Sequence, residues 1–236
     1  MKIALVGYGK MGKIIEQIAI DRGHEIVARL NETPTTATLN NPDVAIEFSN
    51  PEVAFNNIKL CLENQIPVIC GTTGWLAKKA NIEKIATENN TAFLYGSNFS
   101  LGVNLFFALN EQLAQLMRKF SGYLVQLEEV HHTQKKDAPS GTAISLAEGI
   151  IKNDDRFDAW KLEQTSGNQL GIFAVREDEV PGTHRVSYKS EVDEIEISHT
   201  AFNRNGFAMG AVVAAEWIRG KKGNFSMKDV LFSAPQ

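Results

Sequence analysis

The chain has 236 residues, 43% of them hydrophobic and 22% charged, with a net charge of −4. This size and balance suit a soluble globular protein of one large domain or two small ones, and the acidic sign argues against a nucleic-acid footprint. No apolar run nears the roughly 20 residues that span a bilayer, Met1 leads directly into an apolar stretch rather than a signal peptide, and Cys61 and Cys70 read as buried thiols of a reducing compartment, so a cytoplasmic protein without a metal site is expected.

Residues 2–6 (KIALV) form a short apolar run that ends in Gly7-Tyr8-Gly9-Lys10-Met11-Gly12. Apolar residues at Ile14, Ile15, Ile18 and Ala19 then predict a helix over 13–22 with one buried face, stopped at Gly23. Residues 25–30 (EIVARL) read as a second strand. Strand, GxGxxG, helix and strand in about 30 residues is a dinucleotide-binding signature, far stronger than the glycines alone. The first glycine makes the turn, the second lets amides approach a pyrophosphate, and the third lets helix and strand pack closely. The acid expected about 20 residues later, which binds a ribose hydroxyl, is replaced by Asn31 with Glu32 beside it. Arg29 is near enough to meet a 2′-phosphate unless strand parity turns it away. The choice between NADH and NADPH stays open.

The pattern repeats without the glycine loop. Strands are predicted at 43–48, 67–70 and 91–95, and helices from Pro51 to about residue 63 and over 76–88. Strands alternating with helices imply a parallel, doubly wound sheet. Ligands bind outside the carboxyl ends of such strands. Gly71, Thr72, Thr73 and Gly74, and then Gly96, Ser97, Asn98 and Phe99, are therefore assigned to the nicotinamide half of the site, although glycines also serve turns for their φ freedom.

A long apolar helix over 102–120 leads to a strand over 122–130 and to the densest chemical stretch of the chain, from Glu128 to Thr142. Histidine titrates near neutrality and suits general acid catalysis. His131 and His132 are adjacent, so in an extended chain they face opposite ways. Lys135 can neutralise an anion or donate a proton. Pro139 keeps Ala138 out of the helical region, and Ser140 is placed to cap a helix over 143–152. The amides of Gly141 and Thr142 would then meet an incoming carboxylate or phosphate. A lone His-His pair usually packs or lies on a surface; beside this helix start, on a dinucleotide fold, it points to catalysis. After residue 153 the chain reads as irregular to about Gly167. Alternating runs at 170–176, 183–189 and 194–200 follow, predicting a mostly antiparallel sheet with one exposed face. His184 and His199 within it read as structural. A last helix is predicted over 210–219, with Lys221-Lys222-Gly223 as a solvated turn.

The run Glu129-Val130-His131-His132-x-x-Lys135-x-Asp137-Ala138-Pro139-Ser140-Gly141-Thr142-Ala143 resembles the signature of the 4-hydroxy-tetrahydrodipicolinate reductase (dihydrodipicolinate reductase) family. Gly7–Gly12 resembles that family's cofactor loop, Gly71–Gly74 its nicotinamide-side loop, Ser97–Ser100 its hinge and Phe207–Ala211 its closing helix. The resemblance implies hydride transfer from NADH or NADPH to C4 of a cyclic dicarboxylate, with loss of water, in diaminopimelate and lysine biosynthesis. It implies that His131 and Lys135 donate protons, and that His132, Gly141 and Thr142, with Ser140 beside them, contact substrate. It also implies a homotetramer built through the second sheet, and closure about a hinge. The expected division is a dinucleotide-binding domain over 1–100, completed by 207–236, and a substrate and tetramerisation domain over 101–206. Three features depart from the family: the first loop is one residue shorter than in many members, Asn31 stands where many carry an acid, and Pro181-Gly182-Thr183-His184 differs from the usual Val-Gly-Glu-His. A different Rossmann oxidoreductase, such as an aspartate dehydrogenase or imine reductase, and a non-catalytic dinucleotide sensor are the competing readings.

Overall fold

The computed structural model describes residues 1–163 and 167–233. The chain divides into two compact units, Met1–Leu101 with Asn205–Gln236, and Gly102–Arg204.

The first unit is a six-stranded sheet. In chain order its first part holds β1 (Lys2–Val6), α1 (Lys10–Asp21), β2 (Glu25–Leu30), the short α2 (Thr36–Leu39), β3 (Val44–Glu47), α3 (Pro51–Glu63) and β4 (Val68–Cys70). A 3-10 turn then leads into α4 (Lys79–Glu88), followed by β5 (Ala92–Tyr95). The spatial order is β2, β1, β3, β4, β5, and every pairing is parallel. Parallel strands are covered on both faces, and β1 shows how. Ile3 and Leu5 pack with α1 on one side, while Ala4 and Val6 pack with α3 and α4 on the other. The order reverses between β1 and β3, so the crevice for a ligand opens at the carboxyl ends of these strands.

The second unit begins with α5 (Leu101–Met117), whose first residue belongs to the first unit, and β6 (Leu124–His131). It continues with α6 (Gly141–Asn153), β7 (Ala159–Leu162), β8 (Gln169–Arg176), β9 (Thr183–Lys189) and β10 (Glu194–Thr200). The sheet order is β10, β9, β6, β8, β7. This sheet is mixed and not mostly antiparallel: β6 pairs antiparallel with β9 and β9 with β10, but β6–β8 and β7–β8 are parallel. Alternation reports that one face is covered and is silent on the direction of a neighbour. The helix α6 supplies the crossover that a parallel neighbour requires. Helices α5 and α6 cover one face through Phe106, Met117, Leu146 and Ile150, which meet Leu127, Ile172, Val186 and Tyr188.

Two short strands depart from the sequence reading. The stretch expected to be irregular contains β7, a four-residue edge strand without a fully buried position; residues 164–166 of that stretch lie outside the described residues. The expected solvated turn at residue 223 begins β11 (Gly223–Phe225), which pairs parallel with β5 and extends the first sheet. Such strands are held by their neighbour's hydrogen bonds, not by a hydrophobic pattern of their own. The chain returns to the first unit with α7 (Asn205–Ile218) and ends its described part with α8 (Met227–Phe232). Gly210 lets α7 settle on the loop after β5, where an added Cβ would fall inside the Phe99 carbonyl group.

Candidate active site

The groups expected to hold a dinucleotide gather at the carboxyl ends of the first sheet. Gly7 follows β1 at φ +98, in the left-handed region, and an added Cβ would overlap the Phe48 carbonyl. A Cβ on Gly12 would meet the Gly7 carbonyl oxygen at 2.5 Å. Both positions therefore require glycine for packing. Gly9 differs, because nothing lies within 4 Å of its would-be Cβ. It is also the N-cap of α1, without a side-chain cap and without an acid in the first turn. The open face, the uncapped helix start and the absent negative charge fit a pyrophosphate. Lys10 is exposed at this end, while Met11 packs against the core.

At the end of β2, Asn31 Oδ1 accepts from the Tyr8 amide at 2.9 Å. The Tyr8 hydroxyl donates to Glu16, and Arg29 Nε donates to the same carboxylate at 2.7 Å. Arg29 is thus engaged on α1. The Glu16 partnership raises the pKa of Tyr8, and the Arg29 hydrogen bond lowers that of Glu16.

The loop after β4 has structural reasons for its glycines. A Cβ on Gly71 would enter the Phe48 ring, and Gly74 sits at φ +83. Thr72 is buried, its hydroxyl accepting from the Ser49 amide at 2.9 Å and its carbonyl from Trp75 Nε1 at 2.7 Å. Thr73 and Ser97 are exposed at the same sheet end. Asn98 accepts from the Ser100 amide at 2.9 Å. Gly96 and Phe99 are buried, and the Phe99 ring packs on Phe48 at 5.5 Å. That ring is a core group, so only the backbone of Phe99 is left for a ligand.

Beneath these loops Glu47, 1% exposed, accepts from Ser49 Oγ and from the Cys70 thiol. Burial pushes Cys61 up to about 12 and Cys70 well above its usual value. Both are free, buried and unreactive thiols.

The other group of site residues lies in the second unit, where β6 runs out. Strand alternation splits the acidic pair that precedes the histidines. Glu128 turns outward to Arg185, at 2.7 Å, while Glu129 and His131 turn inward together. His131 is 7% exposed and His132, beyond the strand end, is half-buried. His131 Nδ1 lies 3.4 Å from Glu129 Oε2, and its ring meets His184 edge-on at 5.1 Å. Gly182 abuts the far side, where a Cβ would lie 3.0 Å from Nε2. Burial, with the positive charges of His184, Lys135 and Arg176, outweighs Glu129 and depresses His131 to about 4. For Glu129 burial acts upward, but contacts from His184, Ser140 and His131 hold it at about 2.

Lys135 Nζ reaches both oxygens of Asp137, at 2.9 and 2.8 Å. Ser140 caps α6 as expected, its hydroxyl accepting from the Ala143 amide at 3.2 Å. That hydroxyl also meets His184 Nε2 at 3.1 Å, and the Ser140 amide donates to Glu129. Ser140 is therefore committed within the protein. The Gly141 and Thr142 amides, by contrast, have no partner among the described residues, and space is open beside Gly141.

Three residues that sequence reasoning left without a site role enter this network: Glu129, Arg176 and His184. The two-residue offset of Glu129 from His131 was a usable signal. Arg176 and His184 come from other strands, where only pairing brings them in. Oxygen and nitrogen atoms of Glu129, His131 and His184 lie within 4.8 Å of one another, a spacing that would suit an ion. Arg176 already balances Glu129, and His184 Nε2 bonds Ser140, so two of the three groups are engaged within the protein.

Residues 1–99 match the family model for the N-terminus of dihydrodipicolinate reductase, and residues 102–231 that for its C-terminus. A 4-hydroxy-tetrahydrodipicolinate reductase of Christiangramia forsetii is 51% identical over 98% of each chain. One from Methanocaldococcus jannaschii is 35% identical over 96% of this chain and 80% of its own. Among solved structures, the dipicolinate-bound dihydrodipicolinate reductase from Paenisporosarcina sp. TG-14 gives a TM-score of 0.80, covering 98% of this chain and 99% of that one. At 21% identity that likeness is one of fold.

Proposed function

The chain belongs to the dihydrodipicolinate reductase family, and from that premise we propose how its residues divide the work. Its activity is the nicotinamide-dependent reduction of 4-hydroxy-tetrahydrodipicolinate in diaminopimelate and lysine biosynthesis. When bound, the reduced nicotinamide supplies a hydride for C4 of the cyclic substrate, whose 4-hydroxyl leaves as water.

The pyrophosphate is held at the start of α1 by the Gly7–Gly12 loop, with Tyr8, Lys10 and Met11 lining it. The nicotinamide half falls to Gly71, Thr72, Thr73, Gly96, Ser97, Asn98 and the backbone of Phe99. Asn31 meets the adenine-side ribose. It carries no charge to repel a 2′-phosphate and keeps an amide to donate, so both NADH and NADPH are accepted.

The substrate is a dicarboxylate, and one carboxylate is bound by the open amides of Gly141 and Thr142, with His132 alongside. Lys135 exchanges its partner Asp137 for the substrate, and its ammonium returns to the ring carbon next to C4 the proton that carbon loses as the hydroxyl departs, so that with the proton carried by His131 one proton is consumed net. His131 is neutral in the free protein at pH 7. The substrate's negative charge raises its pKa and lets it carry the proton that leaves with the hydroxyl. The observation that carries this reading is the meeting of His131, Lys135 and an open helix N-terminus where β6 ends.

The exposed face of the second sheet, with Leu124 75% and Val175 38% exposed, supports assembly into a homotetramer. The two free thiols fit a cytoplasmic setting, and no helix among the described residues is long and apolar enough to cross a membrane.

The test is a coupled assay in which the preceding synthase generates the cyclic substrate and coenzyme oxidation is followed with NADH and with NADPH. Oxidation with both is expected. His131→Ala and Lys135→Ala should each lower kcat by about 100-fold or more, the scale of a lost general acid. Near-normal turnover in both variants would exclude the two side chains from proton transfer.

A further inference from the structure

We propose that Glu129 is the positioning residue of this site: one buried carboxylate that aims the His131 ring and ties down both ends of the loop between β6 and α6. The proposal rests on the proton-transfer roles of His131 and Lys135.

Glu129 is 0% exposed and stands two residues before His131 on the same face of β6. The far end of the loop comes back to it, since the Ser140 amide donates to Oε1 and Oε2 at 3.1 Å each. The middle is reached through Arg176. One nitrogen of its guanidinium lies 3.4 Å from Glu129 Oε1 and donates to the Asp137 carbonyl at 2.8 Å. Asp137 in turn holds Lys135. The near end is His131, whose Nδ1 is buried without a hydrogen-bond partner and faces Glu129 Oε2 at 3.4 Å. His131 and Ser140 therefore face this carboxylate directly, with His132 and Gly141 next to them in the chain, while Asp137 is two contacts away and Lys135 three.

A charge facing Nδ1 favours the tautomer with its proton on that nitrogen and fixes the plane of the ring, as a carboxylate does behind other catalytic imidazoles. It also limits the freedom of a mostly exposed loop, where a displacement of about 1 Å can cost on the order of 100-fold in rate. A carboxylate that merely satisfied Ser140 and Arg176 would have no reason to face the ring.

Glu129→Gln keeps the shape and one acceptor oxygen for Ser140, but removes the charge facing Arg176 and His131. In the holoenzyme kcat should fall about 10- to 100-fold, the range for partners that orient a histidine from behind. The KM for the cyclic substrate should rise while that for coenzyme, held by the other unit, stays unchanged. Ring 15N spectra of His131 should show the Nδ1–H tautomer in the wild type and its loss in Glu129→Gln. Arg176→Met is the second variant, because its side chain is 22% exposed and the buried carboxylate is left in place. It should raise the substrate KM about tenfold, and it decides the matter alone if Glu129→Gln does not fold. A folded variant with wild-type kcat, substrate KM and His131 spectrum would overturn the proposal. If the wild type fails to reduce the cyclic substrate, the functional reading falls, while the His131 spectra still decide whether Glu129 orients the ring.

Discussion

The proton-transfer role proposed for His131 falls to a group whose basicity is suppressed, since burial brings it to about 4 in the free protein. A general acid loses its proton as pH rises through its pKa, so kcat/KM, which reports the free enzyme, should already decline with pH above about 4. In the substrate complex, two carboxylates oppose that depression and raise the pKa. The decline of kcat should therefore begin at higher pH than that of kcat/KM. Paired profiles from pH 4 to 9 check this, and a common break point would show that substrate does not retune His131. Asn31 is the second residue with a sharp consequence. Aspartate there would still accept from the Tyr8 amide but would face a 2′-phosphate. Two like charges about 4 Å apart near a surface repel by about 4 kcal/mol. Asn31→Asp should accordingly lower kcat/KM for NADPH by tenfold or more and leave NADH little changed in a parallel assay. Residue types and local spacing made His131, Lys135 and Asn31 visible in the sequence. The burial that sets the state of His131 was not visible, because it comes from Gly182 and His184 on the other side of a strand pairing.

At the scale of elements, the helices and strands that carry the cofactor loops were legible from periodicity, and their observed ends fall within a few residues of the expected ones. The helix start at residue 140 was legible for a chemical reason: Pro139 and Ser140 leave few other conformations. The structure adds what Ser140 does beyond capping, because its hydroxyl also meets His184. Glycine at 210 has a reason that lies in another element, the loop after β5. A methyl group there would strike the Phe99 backbone, and backbone yields less readily than a flexible side chain. Gly210→Ala should destabilise the protein by about 1–3 kcal/mol, the usual cost of overpacking a core. In a chain of this size that lowers Tm by roughly 2–4 °C per kcal/mol. Unchanged melting by calorimetry would mean that α7 shifts without cost.

For the whole molecule, both sheets have helices on a face, but among the described residues the second unit's helices α5 and α6 cover one face of its sheet. The uncovered face carries Leu124, Phe173 and Val175 among Gln126, Glu128 and Arg185. If subunits meet there, Leu124→Asp should lower the mass measured by light scattering while leaving the fold intact by circular dichroism. An unchanged mass would put the contact elsewhere. The sequence by itself determined the alternation of strands and helices, the glycine loop after β1, and the position of the stretch to which the chemistry is assigned. Each of these depends on neighbours within a turn or two of chain. Tertiary structure alone decided that the second sheet is mixed, that β7 and β11 are strands at all, and that Glu129, Arg176 and His184 converge on His131. Strand direction, edge pairing and convergence are set by hydrogen bonds and packing between residues far apart in the chain, and a local pattern holds no record of its distant partner.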